Sequence, residues 1–490
     1  MSTLKKLASQ TVIYGLTTIL ARLLNFALTP LHTGIIDKAE YGVLNDIYSM
    51  IAFLMVVLTF GMETAFFRFY NDKKYAGRDI FSHTVLFTLA LSVILIVFTI
   101  IFLEPIAETL QFADRPYFIL WMLLIVAMDA LAAVPFAKLR AENKPLRFLA
   151  IRLGAIALMV SLNLIFFLLL PYLNEQDLLP KTLQFLYQPD WGVAYVFIAN
   201  LIGNGFMILL FLPDYFQIRF KLKPALLKEL LIYTSPLVIG FLAGISNEKA
   251  QFQFMKYLLP EGENDVAMGI FGAMMKIATF MMLFIQAFRF AAEPFFFSGE
   301  GNIKNNMARV LKYFVMIQSL IFLGLVSFTS ILKWSHFIDE KYWEGWDIVP
   351  VLLFANLLLG INFNLNIWYK LKNKTRMGAY ISFFGLAFTI SFNLLLVPKY
   401  GYTGAAWATL ISYAAMTAYS YYLNQKHDPI KFPVRTIGMY LGLALIGAYL
   451  SYHVFDARFW PGLIIFSLYL LYMLWIDGRA ILNLRKNDNS

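Results

Sequence analysis

Residues 80–103 read IFSHTVLFTLALSVILIVFTIIFL, 24 positions in a row without an aspartate, glutamate, lysine or arginine. A helix needs roughly 20 mostly apolar residues to cross a hydrocarbon core, so this stretch predicts a membrane-spanning helix. A barrel strand is excluded because the run is continuous and about twice as long as such a strand needs. Thirteen further stretches are also long and mostly apolar: 10–33, 41–62, 114–137, 148–171, 192–213, 229–257, 265–288, 310–332, 348–369, 378–397, 402–423, 436–454 and 460–476.

The composition of the whole chain agrees with a multi-pass membrane protein. Hydrophobic residues make up 60% of the 490 positions and charged residues 14%, about half the charged share of a soluble protein. This excludes a soluble enzyme, a filament or a disordered scaffold, and leaves no soluble domain to bind nucleic acid. The chain has no cysteine, and no nucleotide-binding or nucleophile motif stands in a fitting context. We expect no cofactor, no metal ion and no enzymatic activity.

The basic residues predict the orientation of the chain. With a cytoplasmic N-terminus, 28 of the 40 lysines and arginines lie in cytoplasmic loops or tails, starting with Lys5 and Lys6. Eight, including Lys256, lie in outside loops, and four lie within spans. Cytoplasmic loops carry such an excess in membrane proteins. We therefore expect both termini in the cytoplasm, and the net charge of +10 needs no anionic partner to explain it.

Three short matches indicate an internal repeat. The segment KLRAENKPLRF at 138–148 resembles KLKNKTRMGAY at 370–380. Ser161-Leu162-Asn163-Leu164 resembles Ser391-Phe392-Asn393-Leu394, and Tyr41-Gly42-Val43 resembles Met268-Gly269-Ile270. The matches keep their order at offsets of 227 to 232 residues. This favours a repeat of spans 1–6 as spans 7–12, related by an axis along the membrane normal because six is even.

The predicted fold is an all-α polytopic membrane protein with fourteen transmembrane helices. It has two six-helix lobes related by a pseudo-two-fold along the membrane normal, and two extra C-terminal helices. We place the N-lobe at 1–224, the C-lobe at 225–430, the extra pair at 431–476 and a cytoplasmic tail at 477–490. Transporters built from parallel repeats hold a central cavity between lobes that rock around it.

Cations inside the spans are the first candidate functional residues, because an intramembrane charge is costly and usually faces a polar cavity. Arg22 and Lys276 lie near the middle of the first and eighth spans, about 11 residues or roughly 16 Å of helix from either end. Snorkelling does not comfortably bring them to water. With Lys249 and Arg152 they are candidates for lining a cavity that binds an anionic substrate.

Three acidic residues inside the spans are the second set of candidates. Asp129 lies near mid-depth in the fourth span, Glu248 in the outer third of the seventh, and Asp46 near the outer end of the second. Each is a candidate for a coupling-ion site or for an internal ion pair. An ion pair between Asp129 and Arg22 or Lys276 is the structural alternative to a cavity role for those cations.

Several loose motifs follow one another along the chain: Arg22 with Thr29-Pro30, Glu40-Tyr41-Gly42, Gly61 with Ala65 and Arg68, Met268-Gly269-Ile270-Phe271, Ala292 with Pro294, and Gly401-Tyr402-Thr403-Gly404-Ala405-Ala406. In these motifs and their order the chain resembles the Wzx-type oligosaccharide flippases, a polysaccharide transporter family of the multidrug/oligosaccharidyl-lipid/polysaccharide exporter superfamily. The resemblance covers nearly the whole length. Where many relatives carry an Asp-Arg pair late in the seventh span, this chain has Glu248-Lys249.

The resemblance implies that the protein flips an undecaprenyl-diphosphate-linked oligosaccharide from the cytoplasmic to the periplasmic leaflet by alternating access. It further implies a bacterial inner membrane, a role in O-antigen, capsule or exopolysaccharide synthesis, contact with membrane lipids, and polysaccharide assembly machinery as a partner. The last two helices would help to form a groove for the lipid tail.

Two other functions stay open. A cation-coupled multidrug antiporter of the same superfamily would need a dominant buried acid, and Asp129 keeps that alternative open. A membrane-embedded glycan polymerase or acyltransferase usually needs a buried histidine or a large outside loop, whereas the sequence places all five histidines in loops or near span ends and predicts no large outside loop.

We predict that a cysteine introduced at Gln188 or Asp456 reacts with an impermeant thiol reagent added to intact cells, because both positions lie in outside loops. A cysteine at Asn373 or Asn487 should stay unlabelled. The native chain has no cysteine, so the background is clean. Labelling of position 373 in intact cells would contradict the span count.

Overall fold

The computed structural model describes residues 19–70, 74–297, 303–372 and 376–487, together with the single positions 15, 17, 72 and 374. Side chains are described over the same residues except 290–297 and 478–487. Several positions used above therefore lie outside the described residues: the start of the first span with Lys5 and Lys6, Asn373, and the side chains of Ala292, Pro294 and Asn487.

Every regular element in these described ranges is a helix. A helical segment at 19–27 leads into the first ten named helices. They are α1 (Thr29–Ile35), α2 (Lys38–Thr59), α3 (Met62–Tyr70), α4 (Gly77–Ile101), α5 (Leu103–Thr109), α6 (Tyr117–Ala141), α7 (Pro145–Leu164), α8 (Leu170–Glu175), α9 (Gly192–Tyr215) and α10 (Pro224–Leu258). The others are α11 (Glu263–Phe297), α12 (Ile303–Ser327), α13 (Thr329–Trp334), α14 (Val349–Leu365), α15 (Ile367–Leu371), α16 (Arg376–His427), α17 (Val434–Tyr449) and α18 (Phe459–Asn487).

The helices confirm the all-α polytopic fold. Twelve helical stretches in the described chain are long and apolar enough to cross a membrane, and every predicted span from the second to the fourteenth falls on one of them. They are fewer because α16 holds two predicted spans, 378–397 and 402–423. Gly401, at φ 56° and ψ −133°, breaks the helical path between those two spans.

The chain divides into two compact units, Met1–Gly269 and Ile270–Ser490. The first unit contains α1 to α10 and the beginning of α11, and the second contains the rest. The lobes at 1–224 and 225–430, with the extra pair at 431–476, stay a prediction.

Two glycines form a close helix crossing within the first unit. A Cβ on Gly42 of α2 would overlap the backbone carbonyl of Asp265 in α11, and a Cβ on Gly269 would overlap the carbonyl of Lys38. Only glycine allows two membrane helices to approach this closely. Gly269 follows Gly42 by 227 residues, and Asp265 follows Lys38 by the same number. The crossing is therefore reciprocal, and it joins the two glycines that the sequence match paired.

In each unit, one aspartate binds two cations at the helix ends predicted to be cytoplasmic. Asp214, in the last turn of α9, accepts hydrogen bonds from Lys138 at 2.9 Å and Arg147 at 2.5 Å. In the second unit, Asp428 lies 2.6 Å from the Nζ of Lys304 and 2.8 Å from that of Lys372. Burial would raise the pKa of Asp428, but the two lysines lower it below its ordinary value.

The extra pair α17 and α18 packs against α12 in the second unit. The contact includes a polar cluster in which Asp477 of α18 accepts hydrogen bonds from Lys312 of α12 and Tyr440 of α17. Asp477 is buried, and groups from both helices compensate its charge. This cluster fixes the C-terminal pair to the unit.

Asp46 and Lys256 form a buried ion pair between α2 and α10. Their side chains are 1% and 3% exposed, and Lys256 Nζ lies 2.5 Å from Asp46 Oδ2. Gln253 donates to the other carboxylate oxygen at 2.9 Å, and Lys256 lies over the ring of Phe112 at 4.1 Å. The assignment of Lys256 to an outside loop was wrong, because α10 extends to Leu258 and buries the lysine. Asp46 thus stands in an ion pair, one of its two predicted roles.

We predict that Gly42→Ala and Gly269→Ala each destabilise the protein by about 1–3 kcal/mol, the usual cost of overpacking. Gly244→Ala in α10 is the matched control, because a Cβ there meets no atom within 4 Å. Thermal unfolding of the purified variants gives the comparison. Equal melting temperatures for Gly42→Ala and Gly244→Ala would contradict the close crossing.

We also predict that Lys256→Met alone costs about 3–5 kcal/mol, because it leaves Asp46 buried and uncompensated. Asp46→Asn combined with Lys256→Met should recover most of this loss. Glu40→Gln is the control, because its ion pair with Arg115 is 32% and 43% exposed and contributes about 0–1 kcal/mol. If Lys256→Met unfolds no earlier than Glu40→Gln, the buried pair is not the anchor described here.

Candidate functional site

A cavity of about 520 Å³ lies within the first unit. Its walls come from the segment 19–27 and from α2, α3, α6, α7 and α9. Five charged side chains line it, although these helices are otherwise apolar: Arg22, Glu63, Asp129, Arg140 and Arg152. Polar side chains placed among membrane-spanning helices indicate a water-filled space that can take a charged ligand.

The guanidinium groups in this cavity are held in different ways. Arg152 of α7 lies 5.5 Å from the ring centroid of Phe136, which also lines the cavity. Arg140, in the last turn of α6, lies 4.9 Å from the ring centroid of Phe67 and binds Glu63 of α3. The Arg22 side chain is exposed and lines the cavity from the segment 19–27. Aromatic faces hold guanidinium planes without using their hydrogen-bond donors.

Amide and phenol groups form a second polar surface in the same cavity. Asn204 of α9 donates a hydrogen bond to the Asp129 carboxylate and another to the carbonyl of Ile125 at 3.3 Å. One turn earlier on α9, Asn200 donates to the hydroxyl of Tyr48 in α2. Asp129 interacts electrostatically with Arg152. This surface thus combines donors and acceptors, which suits a ligand rich in hydroxyl groups.

The structure brings three of the seven predicted site residues together. Arg22, Arg152 and Asp129 line the cavity, whereas Asp46 belongs to the ion pair with Lys256. Lys249 is half-buried in α10 and interacts electrostatically with Arg22 and with its neighbour Glu248, whose side chain is exposed. Lys276 is half-buried in α11 within the second unit and does not line this cavity as the described residues define it.

Sequence reasoning missed several residues of the cavity wall. Arg140 falls in a segment predicted to be a cytoplasmic loop rich in lysine and arginine, so its charge was attributed to topology, but it lies in the last turn of α6. The structure turns it into the cavity instead. Asn200 and Asn204 stand four residues apart in an apolar span, which places both on one helix face. That spacing was a usable signal for a polar surface.

A second cavity, of about 500 Å³, lies near the helix ends predicted to face outside. It is lined by five carboxylates, namely Glu40, Glu108, Asp114, Glu261 and Asp265. Only two cations, Arg115 and Lys256, are among its lining residues, and each is bound to an acid. No group of three or more metal-ligating side chains was found in the described part of the chain. The first unit therefore has a mainly cationic cavity and a mainly acidic one.

Comparison with known proteins identifies the fold. No protein-family model and no curated protein sequence matches the chain. Among solved structures, the lipid II flippase MurJ superposes with a TM-score of 0.73 at 14% identity, covering 96% of this chain and 100% of that one. An inward-facing multidrug resistance MATE family transporter of the MOP superfamily gives 0.64 at 14% identity, covering 83% and 94%. The MATE multidrug transporter DinF-BH gives 0.59 at 16%, covering 88% and 97%. At these identities the likeness concerns the fold alone: the chain is a multi-pass membrane protein with the fold that MurJ shares with the MATE transporters.

Proposed function

We propose that this protein is a flippase that moves an undecaprenyl-diphosphate-linked oligosaccharide from the cytoplasmic to the periplasmic leaflet. The proposed cycle is alternating access and involves no chemical step. We place the protein in the bacterial inner membrane with both termini in the cytoplasm, where it serves the synthesis of a surface polysaccharide. Polysaccharide assembly machinery is its proposed partner.

One observation carries the proposal: Arg22 and Arg152 line a cavity walled by membrane-spanning helices. A diphosphate cannot cross hydrocarbon unless its charge is compensated, because an uncompensated ion there costs at least several kcal/mol. Two guanidinium groups can bind phosphate oxygens bidentately. Lys249, close enough to Arg22 to interact with it electrostatically, adds positive charge on the same side.

The amide surface of the cavity supports a glycan as the second part of the ligand. Tyr48, Asn200, Asn204 and Asp129 offer donors and acceptors that sugar hydroxyls can use. The lipid tail would stay in the bilayer, where it needs no polar partner. In this proposal the cavity thus binds only the headgroup, which is the polar part of the ligand.

Likeness in fold supports a transport cycle for this chain. MurJ is described as a lipid II flippase, and MATE transporters with the same fold are known in inward-facing and outward-facing conformations. A cycle of that kind would expose the cavity residues to each side in turn. Lys276, on α11 of the second unit, stays a proposed substrate-binding cation.

A cation-coupled multidrug antiporter is the second candidate, and Asp129 favours it. Its carboxylate lines the cavity beside amide groups, where an organic cation or a coupling ion would find an acceptor. The flippase is preferred because guanidinium groups outnumber carboxylates in that cavity. An antiporter for cations would need the opposite balance.

We predict that Arg22→Gln, Arg152→Gln and Lys276→Gln each abolish glycan export while the amount of protein in the membrane stays near normal. Lys276→Arg should retain more export than Lys276→Gln, because a mobile anion responds to charge more than to shape. Complementation of glycan display in cells that lack the gene, measured beside membrane abundance, gives the result.

Lys228→Gln is the control for the loss of one positive charge, because Lys228 is exposed on α10 and does not line the cavity. It should export normally. Normal export by both Arg22→Gln and Arg152→Gln would contradict the cavity assignment. Loss of cation resistance in Asp129→Asn, with normal resistance in Arg22→Gln, would favour the antiporter.

A further inference from the structure

Arg140 differs from the other cations of the segment 138–147, which runs from the last turn of α6 into the first turn of α7. Lys138 and Arg147 are both bound to Asp214, and Lys144 is bound to Glu142. Three of the four cations between 138 and 147 are therefore neutralised by acids that do not line the cavity. Arg140 is the one of the four that lines it. The positive-inside rule explains why the loop is basic, but it does not explain why this side chain turns inward.

The guanidinium of Arg140 is only partly satisfied. A terminal nitrogen of Arg140 donates to one oxygen of Glu63, and its Nε is buried without a hydrogen-bond partner among the described residues. The two side chains are 34% and 41% exposed, so the ion pair is weak and water reaches it. A buried donor without an acceptor is costly. Arg140 thus has one donor, Nε, without an acceptor in the part of the chain that the structure describes, and another anion can replace its partner Glu63.

Glu63 reaches Arg140 because the second span changes direction. Phe60 and Gly61 both have positive φ, 46° and 67°, so α2 ends at Thr59 and α3 begins at Met62 on a new axis. A phenylalanine in the left-handed region is strained and persists only where the surrounding structure requires it. The break places Glu63 in the cavity wall, at the end of α6 that is predicted to be cytoplasmic.

We propose that Arg140 is a phosphate-binding residue at the cytoplasmic end of the cavity and that Glu63 is its internal competitor. In the empty cavity the carboxylate holds the guanidinium. An entering diphosphate replaces Glu63, because it offers more negative charge and two acceptor oxygens for the guanidinium fork, including one for Nε. This assignment rests on the proposed function, since it takes an anionic headgroup as the ligand. Asp129 lies 11 residues before Arg140 on α6, about 16 Å deeper, so Arg140 would meet the headgroup first.

The test measures binding of undecaprenyl diphosphate to the purified full-length protein in detergent by thermophoresis. Glu63→Gln should bind about two- to fivefold more tightly, because the competitor is a partly exposed ion-pair partner. Arg140→Gln should bind about tenfold or more weakly, the effect of losing a charged hydrogen bond. The double variant should bind like Arg140→Gln, since Glu63 has nothing left to compete for. In a parallel titration with inorganic pyrophosphate, the variants should show the same order of affinity if the headgroup alone is recognised.

Two controls keep the result specific. Glu142→Gln removes an acid from the same loop outside the cavity, so it should leave binding unchanged. Arg140→Lys keeps the charge but loses Nε and the fork, so its affinity should lie between those of the wild type and Arg140→Gln. If Arg140→Gln proves poorly folded, weaker binding by Arg140→Lys than by the wild type still tests the proposal. Unchanged or weaker binding by Glu63→Gln, or the same gain from Glu63→Gln in the Arg140→Gln background, would overturn the competition. Failure of the wild type to bind undecaprenyl diphosphate would instead contradict the proposed function.

Discussion

A charge inside a hydrocarbon layer must be paired or must face water, and this constraint explains where the charged side chains of the first unit lie. Asp46 and Lys256 meet it by pairing, with Gln253 satisfying the second carboxylate oxygen. Arg22, Arg152 and Asp129 meet it differently, by lining a cavity. The same rule operates in the second unit, where Asp477 is compensated by Lys312 and Tyr440. Structural charges are thus fully compensated, whereas the charges of the cavity keep polar capacity for a ligand.

The sequence was sufficient to predict the spans because apolar length alone specifies them, and helices occur at every predicted span from the second onward. It also paired Gly42 with Gly269, which meet at one crossing. It could not predict which intramembrane charges share a cavity, because that depends on the rotation of each helix about its axis. Arg22 and Arg152 are brought together in this way. Lys256 was counted with an outside loop although it stands at the end of the predicted span 229–257, and it is buried in α10. Arg140 was missed for a related reason, since topology was a sufficient explanation of its charge.

The distribution of charge in the first unit agrees with the proposed direction of transport. The cavity with three arginines includes the end of α6 that is predicted to be cytoplasmic, and the acidic cavity lies near the ends predicted to face outside. An anionic headgroup would be attracted at the first and weakly retained at the second. The glycine crossing and the ion pairs of Asp214 and Asp428 provide rigid contacts within the units. These contacts would be kept while the access of the cavity changes from one side of the membrane to the other. Binding, release and rigidity would then depend on separate groups of residues.

The central claim is that the cavity of the first unit binds the diphosphate of a lipid-linked glycan. A cryo-electron microscopy structure of the full-length protein with an undecaprenyl-diphosphate-linked oligosaccharide tests it most directly. The account predicts diphosphate density within hydrogen-bonding distance of Arg22 or Arg152, with the sugars towards Asn200 and Asn204. Diphosphate density on the lipid-facing surface, with the cavity residues unchanged from the structure described here, would contradict it.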